Sequence, residues 1–105
     1  MEIFIFNNES VIIMPDEKLA RAIRSRIRRD ILQILCQNEN ISVHGIANKL
    51  VITESSASKH LKLLYDLGFV NSENKPPEKF YSLKILEMKE LLEIYNKVVE
   101  RSKEV

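Results

Sequence analysis

One cysteine and two glycines occur in the 105 residues, and each scarcity removes a class of protein. A single thiol, Cys36, forms no internal disulfide and is unremarkable in a reducing compartment, which points to the cytoplasm. Two glycines leave no loop that could wrap successive backbone amides around a phosphate. The two histidines, His44 and His60, stand without a spaced carboxylate or cysteine motif. Neither an enzyme nor a bound cofactor or metal is therefore expected. Long apolar runs are also missing: no segment reaches the roughly 18 residues of a membrane span. The opening "MEIFIFNNES" has an acid at position 2, no basic region and only a few consecutive apolar residues, so neither a signal peptide nor a membrane partner is expected. Nor does a net charge of +1 announce a polyanionic partner.

What is present is local. The length and apolar content suit one domain with a single core. From Pro15 to Cys36 six basic residues face three acidic ones, whereas residues 87–105 carry five acids and four bases. Before that basic stretch, "EIFIF" and "VIIM" flank "NNES", which reads as a β-rich segment over residues 1–14. "PDEKLARAIRSRIRRDILQILCQN" then begins with proline and two acids, a helix start, and repeats Leu19, Ile23, Ile27, Ile31 and Ile34. The spacing fits one long helix or a pair broken near Ser25. Unbroken, it would align Arg21, Arg24 and Arg28, either as a solvated face or as a phosphate-contacting stripe.

"ISVHGIANKLV" places Ser42 as the cap of a short helix with Ile46, Ala47 and Leu50 on its buried side, and Thr53 in "ITES" caps the next helix. In "SSASKHLKLLYDLGFV" the residues Ala57, Leu61 and Leu64 form one stripe. The opposite face holds Ser55, Ser58, Lys59 and Lys62, where small hydroxyls allow close approach to something polar and lysines suit something negative. Gly68 fits the left-handed position that ends a helix, with Phe69 folding back on the last turn. "FVNSENKPPEKFYSL" reads as a hairpin, and a helix-turn-helix followed by a hairpin is a winged helix. Residues 15–84 thus form the winged domain. Residues 85–105 form an amphipathic helix on which Met88, Leu91, Tyr95 and Val98 make an apolar stripe for dimerisation.

Leu19 to Leu83, roughly three-fifths of the chain, resembles the ArsR-type winged helix-turn-helix regulators. "LARAIRSRIRRDILQIL" is similar to their first core helix, and "ITESSASKHLKLLYDLGFV" to their recognition helix and entry to the wing. The core S-x-H-L-x-x-L of Ser58, His60, Leu61 and Leu64, followed by Gly68, is the most specific part. The resemblance implies a mainly α fold with a small β wing and a homodimer built by the first and last helices. It also implies binding to double-stranded DNA, with repression as the expected outcome because no separate activation or ligand domain finds room. Glu54, Ser55, Ser56, Ser58 and Lys59 fall where the recognition helix of the family meets DNA. Lys62, Arg28 and the wing lysines Lys75 and Lys79 are expected on phosphates.

Glu54 departs from the uncharged residue common at its position. A carboxylate accepts from a cytosine amine, but nearby phosphates repel it. Soft-metal sensors of the family place two cysteines where Ser42 and His44 stand here, and another site uses Asp and His pairs on the final helix, absent from residues 83–105. No metal ligand set is therefore expected. His60 is read as a packing or hydrogen-bonding residue. Cys36 is read as structural, with a redox role open only to an exposed, acidified thiol. The rival to DNA binding is a winged helix that binds protein, which would favour large apolar side chains on the outer face of the recognition helix.

Overall fold

Ser25 divides the arginine-rich segment in two. In a computed structural model that describes residues 15–104, α1 (Pro15–Arg24) and α2 (Arg26–Gln37) are separate helices. Ser25 takes an extended conformation, φ −85° and ψ 132°, and its Oγ accepts the Arg28 N–H. This is the geometry of a helix N-cap, in which a side-chain oxygen satisfies a donor left without an intrahelical partner. The break removes the continuous Arg21–Arg24–Arg28 stripe. The β-rich reading of residues 1–14 lies outside the described residues.

Beyond α2 run β1 (Ile41–Ser42), α3 (Val43–Leu50), α4 (Glu54–Leu67), β2 (Val70–Lys75), β3 (Glu78–Leu83) and α5 (Met88–Ser102). Strands β2 and β3 form the antiparallel wing, and β1 adds to its other edge in the order β1-β3-β2. Ile41 and Ser42 face Tyr81 and Phe80, a strand that the sequence reading did not contain. Two residues are too few to display a period of two, and their pairing depends on where the hairpin returns. Ser42 also accepts the Gly45 N–H as the cap of α3, as expected.

The core is entirely apolar among the described residues. Ile31, Leu32 and Leu35 from α2 meet Ile46 and Ala47 from α3 and Ala57, Leu61 and Leu64 from α4. Tyr81 from the wing and Met88 and Leu92 from α5 close it. The final helix differs from the expected single stripe. Met88 and Leu92 are buried, and Tyr95 is half-buried over the cation of Arg29, 5.0 Å from its ring centroid. Leu91, Ile94 and Val98 lie on an adjacent face, where Ile94 and Val98 remain 55% and 60% exposed. Three- and four-residue steps admit both lines, and packing on α2 separates them.

The two helices of the helix-turn-helix end alike. At α4, Gly68 has φ 93°, its N–H reaches the Tyr65 carbonyl, and the Phe69 N–H reaches that of Leu64. At α3, Val51 has φ 57°, with the equivalent bonds from Val51 to Asn48 and from Ile52 to Ala47. This paired closure suits glycine, whereas a β-branched residue at positive φ is strained by roughly 1 to 2 kcal/mol. Val51 is 88% exposed, so its side chain offers little burial in return. Val51→Gly is expected to stabilise the fold by about 0.5 to 1 kcal/mol, after subtraction of the greater unfolded-state entropy of glycine. Urea unfolding checks this, and a loss of stability would show that the valine methyls hold the turn.

Candidate nucleic-acid interface

The interface begins with Thr53, whose side chain accepts the Ser56 N–H and starts α4 in the orientation that the core demands. Ala57, Leu61 and Leu64 have no exposed surface, and this burial fixes the opposite side of the helix toward solvent. Glu54, Ser55, Ser58, Lys59 and Lys62 are all exposed there. Ser56 is half-buried at the capped turn, on the flank of that face. Small hydroxyls at the first two turns leave the backbone accessible, while Lys59 adds a cation beside them.

Several expected contacts are altered by neighbours. Lys62 reaches Asp66 at 3.2 Å, an exposed i,i+4 pair that water screens. Tyr65, half exposed, follows Ser58 and Lys62 on the same side of α4. Steps of four and three from Ser58 lead directly to it, so the outer face carries one large aromatic side chain besides its hydroxyls and lysines. Its hydroxyl and ring allow both hydrogen bonding and stacking.

Arg28, expected on phosphate, is hydrogen-bonded within the protomer. Its Nε donates to the Ala22 carbonyl at 3.2 Å and its Nη2 to that of Arg21, and Arg29 does the same for Ile23 and Arg24. Two arginines of α2 thus neutralise the negative carboxyl end of α1, where carbonyls lack helical partners. The third guanidinium nitrogen, Arg28 Nη1, lies 3.4 Å from His60 Nδ1, which accepts from it. Burial and the adjacent guanidinium together push the His60 pKa down. A neutral, hydrogen-bonded histidine tying α4 to α2 is the structural role expected of it. Burial likewise raises the Cys36 thiol pKa, opposite to the shift that makes a reactive thiolate.

The wing lysines lie on opposite faces of the hairpin. In the β2–β3 register Lys75 is opposite Glu78, Glu73 is opposite Phe80, and Lys79 is opposite Asn74. Side chains alternate between faces, so Lys75 shares the outer face with Glu73 and Phe80 while Lys79 shares the inner face with buried Tyr81. Lys75 accordingly lies 3.9 Å from Glu73 and over the Phe80 ring. Lys79 borders a cleft of about 410 Å³ together with Val43, His44, Glu54, Pro77 and Glu78. At this cleft His44 Nδ1 meets Glu54 Oε2 at 2.6 Å, a contact that sequence patterning does not indicate.

Residues 25–72 match the family described as bacterial regulatory protein, arsR family. The chain is 31% identical over 80 residues to the transcriptional activator HlyU of Vibrio cholerae, spanning 76% of this chain and 73% of that protein. It is 29% identical over 84 residues to the arsenical resistance operon repressor of Bacillus subtilis, spanning 80% of each. A solved structure of HlyU from Vibrio cholerae has a TM-score of 0.70 at 28% identity, covering 80% of this chain and 90% of that one. The homodimeric winged helix-turn-helix DNA-binding domain of a Mycobacterium bovis protein has a TM-score of 0.73 over 86% of this chain and 82% of that one. At 21% identity, that likeness concerns the fold.

Proposed function

The chain belongs to the arsR family of bacterial regulatory proteins, and from that premise we propose that it is a homodimeric, sequence-specific DNA-binding transcriptional regulator of the cytoplasm. It acts as a repressor by occupying a promoter. The observation that carries this reading is the outward face of α4, polar and basic along Ser55, Ser58 and Lys59 while its inward face is sealed in the core. Residues at the start of a recognition helix reach base edges in the major groove; those farther along and on a wing meet phosphates. Ser55, Ser58 and Lys59 therefore read bases, and Ser56 borders them at the capped turn. Lys62 and Lys79 hold the backbone. Lys75, drawn to the outer face of the wing, contributes less than Lys79.

The test uses a duplex recovered from the host's genomic DNA by its binding to the full chain, with a scrambled duplex beside it. Lys59→Ala is expected to cost roughly 1 to 3 kcal/mol on the recovered duplex and much less on the scrambled one. Lys79→Ala is expected to weaken both equally and to lower the slope of log affinity against log salt by about one. Equal losses on both duplexes for Lys59→Ala would move that lysine from bases to phosphates. Tyr65 favours a second reading, a winged helix that docks on protein, and that reading takes precedence if no variant alters DNA binding.

A further inference from the structure

Glu54 is the first residue of α4, where the positive end of a helix meets whatever the helix approaches. A carboxylate there suits the helix dipole but opposes a polyanion. His44, ten positions earlier on α3, lies against it: Nδ1 donates to Glu54 Oε2 at 2.6 Å, and Nε2 stands 3.3 Å from the Asn48 amide nitrogen. In the neutral ring this is a complete arrangement, with Nδ1–H donating to the carboxylate and Nε2 accepting from Asn48. In the protonated ring both nitrogens donate, and a rotation of the Asn48 amide presents its oxygen. The pair therefore persists in both states, while its charge changes from −1 to 0. Across the cleft it faces Glu78 and Lys79 on the wing.

We infer that His44 is a positioning residue for DNA binding, holding the Glu54 carboxylate toward the cleft and, when protonated, cancelling its charge at the groove-facing end of α4. The inference rests on the DNA-binding reading above and adds a proton to it. The hydrogen bond and charge of Glu54, followed by the charge of Glu78, raise the His44 pKa above its ordinary value. Phosphates favour the neutral pair over the anionic one. Affinity is therefore high below the His44 pKa and falls as pH rises through it, and by linkage bound DNA raises that pKa further. His60 is the other histidine in the chain. Burial and the Arg28 guanidinium displace its pKa downward, opposite in direction to that of His44.

The experiment is a series of Kd measurements with the full chain on the genomic duplex, from about pH 6 to about pH 8.5 at constant ionic strength. Wild type is expected to weaken roughly tenfold per protomer across this range, as loss of the His44 proton restores the Glu54 charge. His44→Gln should give a flat profile at the weak, high-pH level. Glu54→Gln should be flat at the tight, low-pH level, and His60→Gln should keep the wild-type slope. Both members of the pair are exposed, and matched thermal unfolding curves verify that the variants are folded. A wild-type slope in His44→Gln, or weaker binding at every pH in Glu54→Gln, overturns the inference; the second outcome would make Glu54 a base contact. Binding without any pH dependence overturns it while leaving the DNA-binding reading intact. Failure of the unaltered chain to bind any duplex removes both.

Discussion

Replacing Ile94 and Val98 together by glutamate is expected to give a folded monomer whose affinity for a duplex with two half-sites is lower by roughly a hundredfold to ten-thousandfold. The two side chains project from α5 beside the buried line of Met88 and Leu92, and both are more than half exposed in the protomer. Charge there costs the protomer little. In the proposed homodimer the same positions would be buried against the second copy, where unpaired carboxylates are strongly unfavourable. The second winged domain then no longer binds at the high effective concentration that a dimer provides, and this produces the large factor. Sedimentation at micromolar concentration and the duplex titration are read together. A variant that still sediments as a dimer would place the interface elsewhere, and a monomer with undiminished affinity would remove the need for two half-sites.

The second large effect lies beneath the recognition helix. Leu61 has no exposed surface and belongs to the cluster joining α4 to α2. Leu61→Ala removes buried methyl groups and leaves a cavity that close-packed neighbours fill only in part, at a cost of roughly 2 to 5 kcal/mol. For a domain of this size the midpoint of thermal unfolding should fall by about 4 to 8 °C for each kcal/mol. Ser58→Ala, three residues away on the exposed face, should change stability by no more than about 0.5 kcal/mol. Calorimetry of the two variants compares the faces of one helix. A loss below about 1 kcal/mol for Leu61→Ala would mean that the core collapses around the site.

These contrasts show which parts of the molecule were legible before the structure. Ser42, Thr53 and Gly68 announced their helix ends because capping is local: a hydroxyl reaches a backbone N–H three residues away, and glycine accepts a positive φ. The break at Ser25 remained one of two options because apolar spacing continues across it from Ile23 to Ile27, and only the cap distinguishes them. The inward face of α4 followed from its period. The partners of its outward face did not, since the His44–Glu54 contact requires the angle between α3 and α4. The opposite placement of Lys75 and Lys79 likewise requires the hairpin register, for a shift of one residue would bring both to one face. The carbonyl contacts of Arg28 were hidden for a related reason, because a charge pattern records cations and omits the carbonyls they meet.

The split at Ser25 also bears on how the molecule comes apart. Helix α1 has 10 residues, too few to persist alone in water, where isolated helices shorter than about 12 to 15 residues are marginal. Its last carbonyls are gripped by Arg28 and Arg29, which belong to α2. Fraying from that end therefore requires the guanidinium contacts to open as well, whereas the Pro15 end has no such restraint from these two arginines. The last turn of α1 is therefore expected to exchange its amide hydrogens together with the cooperative unit formed by α2, which hydrogen exchange would read directly.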